Sequence, residues 1–191
     1  MDPFHVCILH SNFSTLQFTE LVAIRPDVKW EYTEFGVKSM QNRDMDDGKV
    51  FHRVTEIFMP NIRLVGSPTA LPGRPGFGKE GLLSWLVPFD DHTTTFFGLI
   101  PFRLDENGEP QRFSRQIFDG KTWFELSEDE HQRMPGDQEA ICGQGRISSH
   151  TTEHLVTSDR GVMLLRRRLR KQIEAVKSGQ DPLGVVLDKQ E

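Results

Sequence analysis

Cysteine is nearly absent from this chain: of 191 residues, only Cys7 and Cys142 carry a thiol. That excludes a disulfide framework and any metal site built on four thiolates from one chain. A Rieske-type cluster takes two cysteines and two histidines in paired motifs. Cys7-x-x-His10 imitates one half of that pattern, but no Cys-x-His completes it anywhere in the sequence. Long apolar runs are missing as well. No stretch approaches the roughly 18 consecutive apolar residues of a membrane span, and an acid at position 2 replaces the basic start of a secretory leader. Positive charge is not in excess: the formal net charge of −5 leaves no footprint for nucleic acid. These absences fit a soluble globular domain in a reducing cytoplasm.

Hydrophobic residues make up 36% of the chain and charged ones 27%, enough for one core in a single domain over residues 1–191. The segment from about Asp2 to Asn12 reads as a short helix, with Asp2 as its cap and Pro3 at the first helical position, where its missing N–H costs nothing. Val28, Trp30 and Tyr32 alternate with Lys29, Glu31 and Thr33, the period-two signature of a half-buried strand. Less clean strands cover about Lys49–Pro60 and Ile62–Val65. Leu82–Val87 and Thr93–Leu104 are stronger, and the short link Pro88–His92 makes them a hairpin.

Five glycines and three prolines fall in the sixteen residues from Gly66 to Gly81, which predicts a long loop. Asp105–Pro110 is a second turn. Ser127 followed by Glu130 is a capping-box start for an acid-rich helix. The last element begins near Ser158. There Val162, Leu165, Leu169, Ile173 and Val176 recur at helical spacing, and Gly179 with Pro182 ends the helix. The basic run Arg166, Arg167, Arg168, Arg170 and Lys171 is expected to be a solvated helix face, with some arginines pairing acids on the sheet. Helix, antiparallel strands, then a long amphipathic helix define an α+β domain.

Chemistry concentrates at the start of the chain. His5 and His10 stand five residues apart in Phe4-His5-Val6-Cys7-Ile8-Leu9-His10. Imidazole is the commonest ligand for divalent transition metals, and two imidazoles plus a carboxylate leave positions open for oxygen chemistry. In a regular α-helix five residues leave the two side chains roughly 140° apart. Convergence needs a widened i→i+5 turn or the end of the helix. Taken alone, the pair reads first as two partly buried histidines on an amphipathic helix. Glu139 and Glu153 are the other acids considered near the downstream candidate Asp137. Taken alone, Asp137 is an ordinary acid in the first turn of a helix after Pro135.

Several ordered motifs together carry a resemblance. Asp2-Pro3-Phe4-His5-Val6-x3-His10 resembles the iron-binding helix of Rieske non-haem iron oxygenases, with the family pattern Asp-x2-His-x4-His. Pro135-Gly136-Asp137-Gln138-Glu139-Ala140, Gly143-Gln144-Gly145-Arg146-Ile147 and Glu153-His154-Leu155-Val156-Thr157-Ser158-Asp159-Arg160-Gly161-Val162 resemble the C-terminal region of the same large subunits. Trp85-Leu86-Val87-Pro88-x-Asp90-Asp91-His92-Thr93 is similar to a strand and turn of the phthalate 4,5-dioxygenase-like branch, which includes O-demethylases.

The resemblance implies a helix-grip (START/Bet v 1-like) fold, a curved antiparallel sheet wrapped on the long C-terminal helix. It implies that His5, His10 and Asp137 ligate a mononuclear Fe(II). It also makes Asp2 the bridge by which electrons arrive from the Rieske cluster of a neighbouring subunit. Glu153 and His154 are expected to be structural, hydrogen-bonded beneath the sheet.

The implied reaction is O2-dependent hydroxylation or O-demethylation of an aromatic carboxylate or methoxy-aromatic substrate. Partners would be a Rieske domain or ferredoxin, an NAD(P)H-dependent reductase and further copies in a homotrimer. Trp85, Phe96 and Phe97 are candidates to line an apolar cavity. Family members carry a Rieske [2Fe-2S] domain before the iron helix. The expectation here is therefore a catalytic domain without that domain, taking electrons from a missing segment or a partner. The rival readings are a non-catalytic helix-grip binding module or inactive fragment, and a zinc hydrolase, for which no His-Glu-x-x-His helix is present.

Overall fold

Among the described residues, six antiparallel strands, hydrogen-bonded in the order in which they occur in the chain, form one sheet. The computed structural model describes residues 2–10, 23–67, 81–99, 103–104, 106–111, 121, 123–133 and 135–185. The strands are β1 (Asp27–Tyr32), β2 (Gly36–Asp44), β3 (Val50–Phe58), β4 (Ile62–Val65), β5 (Leu82–Pro88) and β6 (Thr94–Leu99). A separate two-stranded ladder joins β7 (Arg103–Leu104) to β8 (Pro110–Gln111). The helices are α1 (Phe4–Leu9), α2 (Glu128–Arg133), α3 (Asp137–Cys142) and α4 (Arg160–Lys177). Sequential antiparallel pairing needs only short connections, which suits a chain rich in turn residues. No helix among the described residues is long and apolar enough to cross a membrane.

Residues paired directly across antiparallel strands share a face. Trp30 pairs with Ser39, Ser39 with Thr55 and Thr55 with Val65, while Gln41 pairs with Arg53 and Arg63 with Ser84. That face meets α1 and α4 at its β1 edge. Tyr32 lies under the guanidinium of Arg168 from α4, 5.2 Å from its ring centre, and Trp30 meets Phe4 of α1 with ring centroids 6.3 Å apart. Tyr32 and Trp30 are two positions apart on β1 and so point the same way.

The inner face is not a conventional core. Among the described residues, apart from Pro3 and Pro26, only Val6, Val37 and Met59 are buried apolar side chains, whereas Ser39, Gln41, Arg43, Thr55, Ser84 and His10 are buried and polar. Such polar burial is costly unless each group finds a partner or a ligand. β2 also explains one glycine. Any Cβ on Gly36 would sit 1.8 Å from the carbonyl oxygen of Ile57, so β2 can enter its pairing with β3 only without a side chain there.

Several sequence expectations are met: β1, β3, β4, β5, the turn around Gly108, the Ser127–Glu130 capping box and the stop at Gly179. Others need correction. β2 went unrecognised, because its alternate positions Ser39, Gln41 and Arg43 are polar yet point inward. The strand expected over Thr93–Leu104 is divided: β6 ends at Leu99, and Arg103–Leu104 pairs with β8. Most of the Gly66–Gly81 loop and residues 11–12 of the expected first helix lie outside the described residues. On α4, Ile173 and Val176 of the apolar stripe are more than half exposed, so only its first part packs on the sheet.

The basic face of α4 is solvated at Arg167, Arg170 and Lys171 as expected, but Arg166 and Arg168 do not pair acids on the sheet. Arg168 donates to the carbonyls of Thr33 and Glu34 in the β1–β2 turn rather than to an acid on the sheet. Arg166 forks onto Glu153, at 2.5 and 2.7 Å, and this clamp ties the segment before α4 to the helix. The guanidinium holds the Glu153 carboxyl below its ordinary range. His154 beside it is exposed rather than placed beneath the sheet.

Glu153→Gln should lower the melting temperature at neutral pH. A depressed folded-state pKa contributes stability above the unfolded-state value near 4.5 and loses it as pH falls through the folded-state value. The gap between wild-type and variant melting curves should therefore close in acid. Superimposable curves at neutral pH would show that the clamp adds nothing.

Candidate metal centre

The first residues of the chain fold locally because Asp2 ends them cleanly. Its Oδ1 accepts the backbone N–H groups of Phe4 at 2.8 Å and His5 at 3.3 Å, satisfying donors that a helix start leaves without partners. Pro3 occupies the capping position just before the helix, one residue earlier than expected. α1 is a short regular helix that stops after Leu9, and His10 follows at φ −87° and ψ −2°. The end of the helix, rather than an i→i+5 turn, brings the two imidazoles together: their centroids lie 5.6 Å apart and their planes meet at 68°.

Asp137 arrives from the far end of the chain. It is the first residue of α3, and the turn before it is held by Glu139. Glu139 Oε2 accepts the Gly136 N–H at 2.7 Å, while its Oε1 lies 2.6 Å from His131 Nδ1. Glu139 thus points away from the histidines, as its position two residues from Asp137 requires. Asp137 Oδ1 sits 3.1 Å from His10 Nε2 and 3.6 Å from His5 Nε2. One donor atom from each of the three residues lies within 4.8 Å of the others. Donors about 2.1 Å from a common centre are about 3 Å apart at right angles and about 4.2 Å apart in line; the 3.1 and 3.6 Å from Asp137 to the two imidazoles fall in that range, and the cluster as a whole is slightly wider than a loaded site.

Tautomer and charge agree with that size. His5 Nδ1 lies 2.7 Å from the carbonyl oxygen of Asp2. A carbonyl only accepts, so the Nδ1 proton is donated to it and Nε2 is left with its lone pair facing Asp137. Burial opposes a charge on His5, but its hydrogen bond with Asp2 and the charges of Asp2 and Asp137 outweigh it and raise its pKa above 6.5. Burial would likewise raise Asp2, but the His5 contact and the Phe4 N–H hold it below its ordinary value. The Asp2 carboxylate therefore stays ionised beside His5. His10 is 3% exposed and His5 partly exposed, so the cluster has one dry side and one approachable side.

All four expected site residues, Asp2, His5, His10 and Asp137, meet in this cluster, while Glu153 serves the clamp on Arg166. The three aromatic candidates divide by strand parity. Phe96 pairs with Leu86 on the inner face, but Trp85 and Phe97 pair with each other on the outer one and cannot line the site. Sequence reasoning missed Arg43, Arg53 and Arg63, which stand on β2, β3 and β4 and point inward. The signal available was an arginine at a core-facing position of each strand, visible only once the register of β2 is known.

The lock on Asp137 has a measurable cost. Glu139→Ala should lower stability in urea by about 1 kcal/mol, as loss of a helix cap does. Gln138→Ala next to it should stay within about 0.5 kcal/mol of the parent. Equal effects of the two would show that Glu139 does not hold the turn.

No family model matches the chain. Curated relatives do. It is 41% identical over 187 residues to the phenoxybenzoate dioxygenase subunit alpha of Ectopseudomonas oleovorans, covering 97% of this chain and 43% of that protein. It is 29% identical over 208 residues to the oxygenase subunit of the tert-butanol monooxygenase / tert-amyl alcohol desaturase of Aquincola tertiaricarbonis, with 97% and 43% covered. It is 27% identical over 195 residues to the 5,5'-dehydrodivanillate O-demethylase oxygenase subunit of Sphingobium sp. (strain NBRC 103272 / SYK-6), with 98% and 43% covered. The chain thus spans less than half the length of these relatives. Over the part it spans, it belongs with the oxygenase (alpha) subunits of the Rieske non-haem iron family.

Proposed function

We propose that this chain, over residues 1–191, is the mononuclear-iron catalytic domain of a Rieske-type oxygenase acting on an aromatic substrate, built as a helix-grip domain. One observation carries the reading. Three donors separated by up to 132 positions of sequence, His5, His10 and Asp137, converge within 4.8 Å at the edge of a polar inner sheet face. Two neutral imidazoles and one carboxylate form the facial donor set of non-haem iron(II) oxygenases, with positions left open. The family relationship over 97% of the chain supports iron over zinc.

Bound iron would supply the activation of O2, chemistry that no amino-acid side chain performs. The chain's own residues do the rest. Asp2 takes the Nδ1 proton of His5 into a hydrogen bond, which fixes the ring and directs Nε2 to the metal position. His10, buried, closes the inner side against water. Glu139 and His131 hold the turn that presents Asp137. The Asp2 carboxylate is 45% exposed and 3.4 Å from His5 Nδ1, so it is open to an approaching Rieske domain and touches a ligand, as an electron bridge must.

The relatives are named as subunits, which implies further components. For this protein they would be a [2Fe-2S] Rieske domain or ferredoxin and an NAD(P)H-dependent reductase, in a cytoplasmic trimer. The substrate is an aromatic acid or a methoxy-arene, and the reaction is hydroxylation or O-demethylation.

Loaded anaerobically with iron(II), the chain should hold about one iron per molecule. His5→Ala, His10→Ala and Asp137→Ala should each lose most of it, whereas Asp2→Asn should keep it. Supplied with a Rieske domain and reductase, the wild type should consume O2 and give an oxidised aromatic product, and Asp2→Asn should slow this by at least about tenfold. Full iron occupancy in Asp137→Ala, or product formation by chains that bind no iron, would defeat the reading.

A further inference from the structure

The inner sheet face beside the candidate metal centre carries positive charge where hydrocarbon is usual. Arg43 is 0% exposed, although arginine is among the residues least often fully buried. Its Nε donates to the Ile24 carbonyl at 2.9 Å and its Nη1 reaches Gln41 Oε1 at 3.5 Å. Arg53 faces Gln41 across the β2–β3 ladder and donates from Nε to the Gly66 carbonyl at 2.9 Å. Arg63, across β4–β5 from Ser84, lies over the Phe96 ring at 5.6 Å. Arg43 Nη2 and Arg63 Nε, both shut off from solvent, have no hydrogen-bond partner among the described residues. None of the three guanidiniums is in an ion pair among those residues.

A guanidinium keeps its proton under all ordinary conditions. Burial and the neighbouring arginines push Arg53 down to about 10, still protonated at neutral pH. Arg53 and Arg63 share the sheet face on which Trp30 meets Phe4 of α1, and the negative charge that reaches both is that of Asp137. That carboxylate is already committed to two imidazoles, and a divalent cation would add further positive charge. Arg43 is fully buried and Arg53 and Arg63 are half-buried, none with an ion pair of its own among the described residues, and an anion entering this face would relieve them. Arginine's planar fork matches a carboxylate in two parallel hydrogen bonds, and Phe96 under Arg63 offers an aromatic surface beside it.

We propose that Arg53 and Arg63, backed by Arg43, form a carboxylate subsite, so that the substrate is an aromatic acid held by its carboxylate on β3 and β4 with its ring toward His5, His10 and Asp137. This deepens the oxygenase reading and relies on it only for the placement of the ring. A neutral methoxy-arene leaves the arginines uncompensated and is the weaker ligand.

The test is calorimetric titration of the full chain, metal-free and again iron-loaded without oxygen, with para-phenoxybenzoate and with para-phenoxybenzamide, its neutral near-isostere. The acid should bind at least about 30-fold more tightly than the amide in both states, because the amide cannot take two charge-assisted bonds. Arg53→Gln and Arg63→Gln should each bring the two ligands to within about threefold, and Arg53→Lys should retain an intermediate preference, since it keeps the charge without the fork. Circular dichroism shows which variants fold, and Arg53→Lys with Arg63→Gln carries the test if Arg53→Gln does not.

Equal affinity for acid and amide in the parent chain overturns the proposal, as does the absence of saturable acid binding up to about 10 mM. A preference that survives in every folded arginine variant overturns it too. A preference seen only with iron bound means that the acid ligates the metal, and also overturns it. Iron content measured on the same samples separates the two readings: preference for the acid in a chain that takes no iron strikes the metal centre and leaves the subsite standing.

Discussion

A carboxylate 3.1 Å from a buried imidazole, Asp137 against His10, is the contact on which the described structure turns. It joins the first helix to the segment after the sheet, with His10 on the buried side of the contact and Asp137 on the exposed side. His10 is nearly inaccessible, so the approach of Asp137 ties the start of α3 to the end of α1. The supports are local and cheap: Asp2 caps α1 and holds His5, and Glu139 caps α3 and holds His131. Each anchors a donor through a backbone group within three positions in the sequence. Short-range hydrogen bonds of this kind set side-chain direction well, although each adds little stability.

Polarity runs through the architecture in the same way. An inner face lined by Ser39, Gln41, Arg43, Thr55 and Ser84 makes a poor hydrophobic core. Exposed apolar residues such as Phe89, Phe97 and Leu99 lie on or beside the hairpin β5–β6. The polar inner face is what a binding cavity requires, since a few placed polar groups in an otherwise closed space give orientation and selectivity. Arg166 and Arg168 show the contrasting use of the same side chain. Arg166 forks onto Glu153, and Arg168 reaches two backbone carbonyls and the Tyr32 ring although its Nε stays without a partner among the described residues; both serve to fasten α4.

Legibility in the sequence followed the physics of each signal. β1 could be read because Trp30 and Val28 alternate with charged residues, the ordinary pattern of one wet and one dry face. β2 could not, because its dry face is polar, so hydrophobic alternation is silent where the site begins. The arginines were missed for that reason. His5 and His10 stood out by residue type, but their convergence depends on where α1 stops, and helix ends are set by caps and by tertiary contacts. Asp137 was distinguishable from Glu139 only through the motif it shares with a family, and the geometry then separates them. Trp85 and Phe97 failed as cavity residues through parity alone: position in the pleat decides the face, and hydrophobicity does not. His154 failed for a similar reason, as adjacency to the buried-side acid Glu153 says nothing of its own direction.

The account depends on one metal position shared by the two ends of the chain. Diffraction from crystals grown with iron(II) under anaerobic conditions, measured on both sides of the iron absorption edge, locates that position directly. The expected result is a single anomalous peak about 2.0–2.2 Å from His5 Nε2, His10 Nε2 and an Asp137 carboxylate oxygen. A peak bound by other residues, or no peak with Asp137 still hydrogen-bonded to His10, would contradict it.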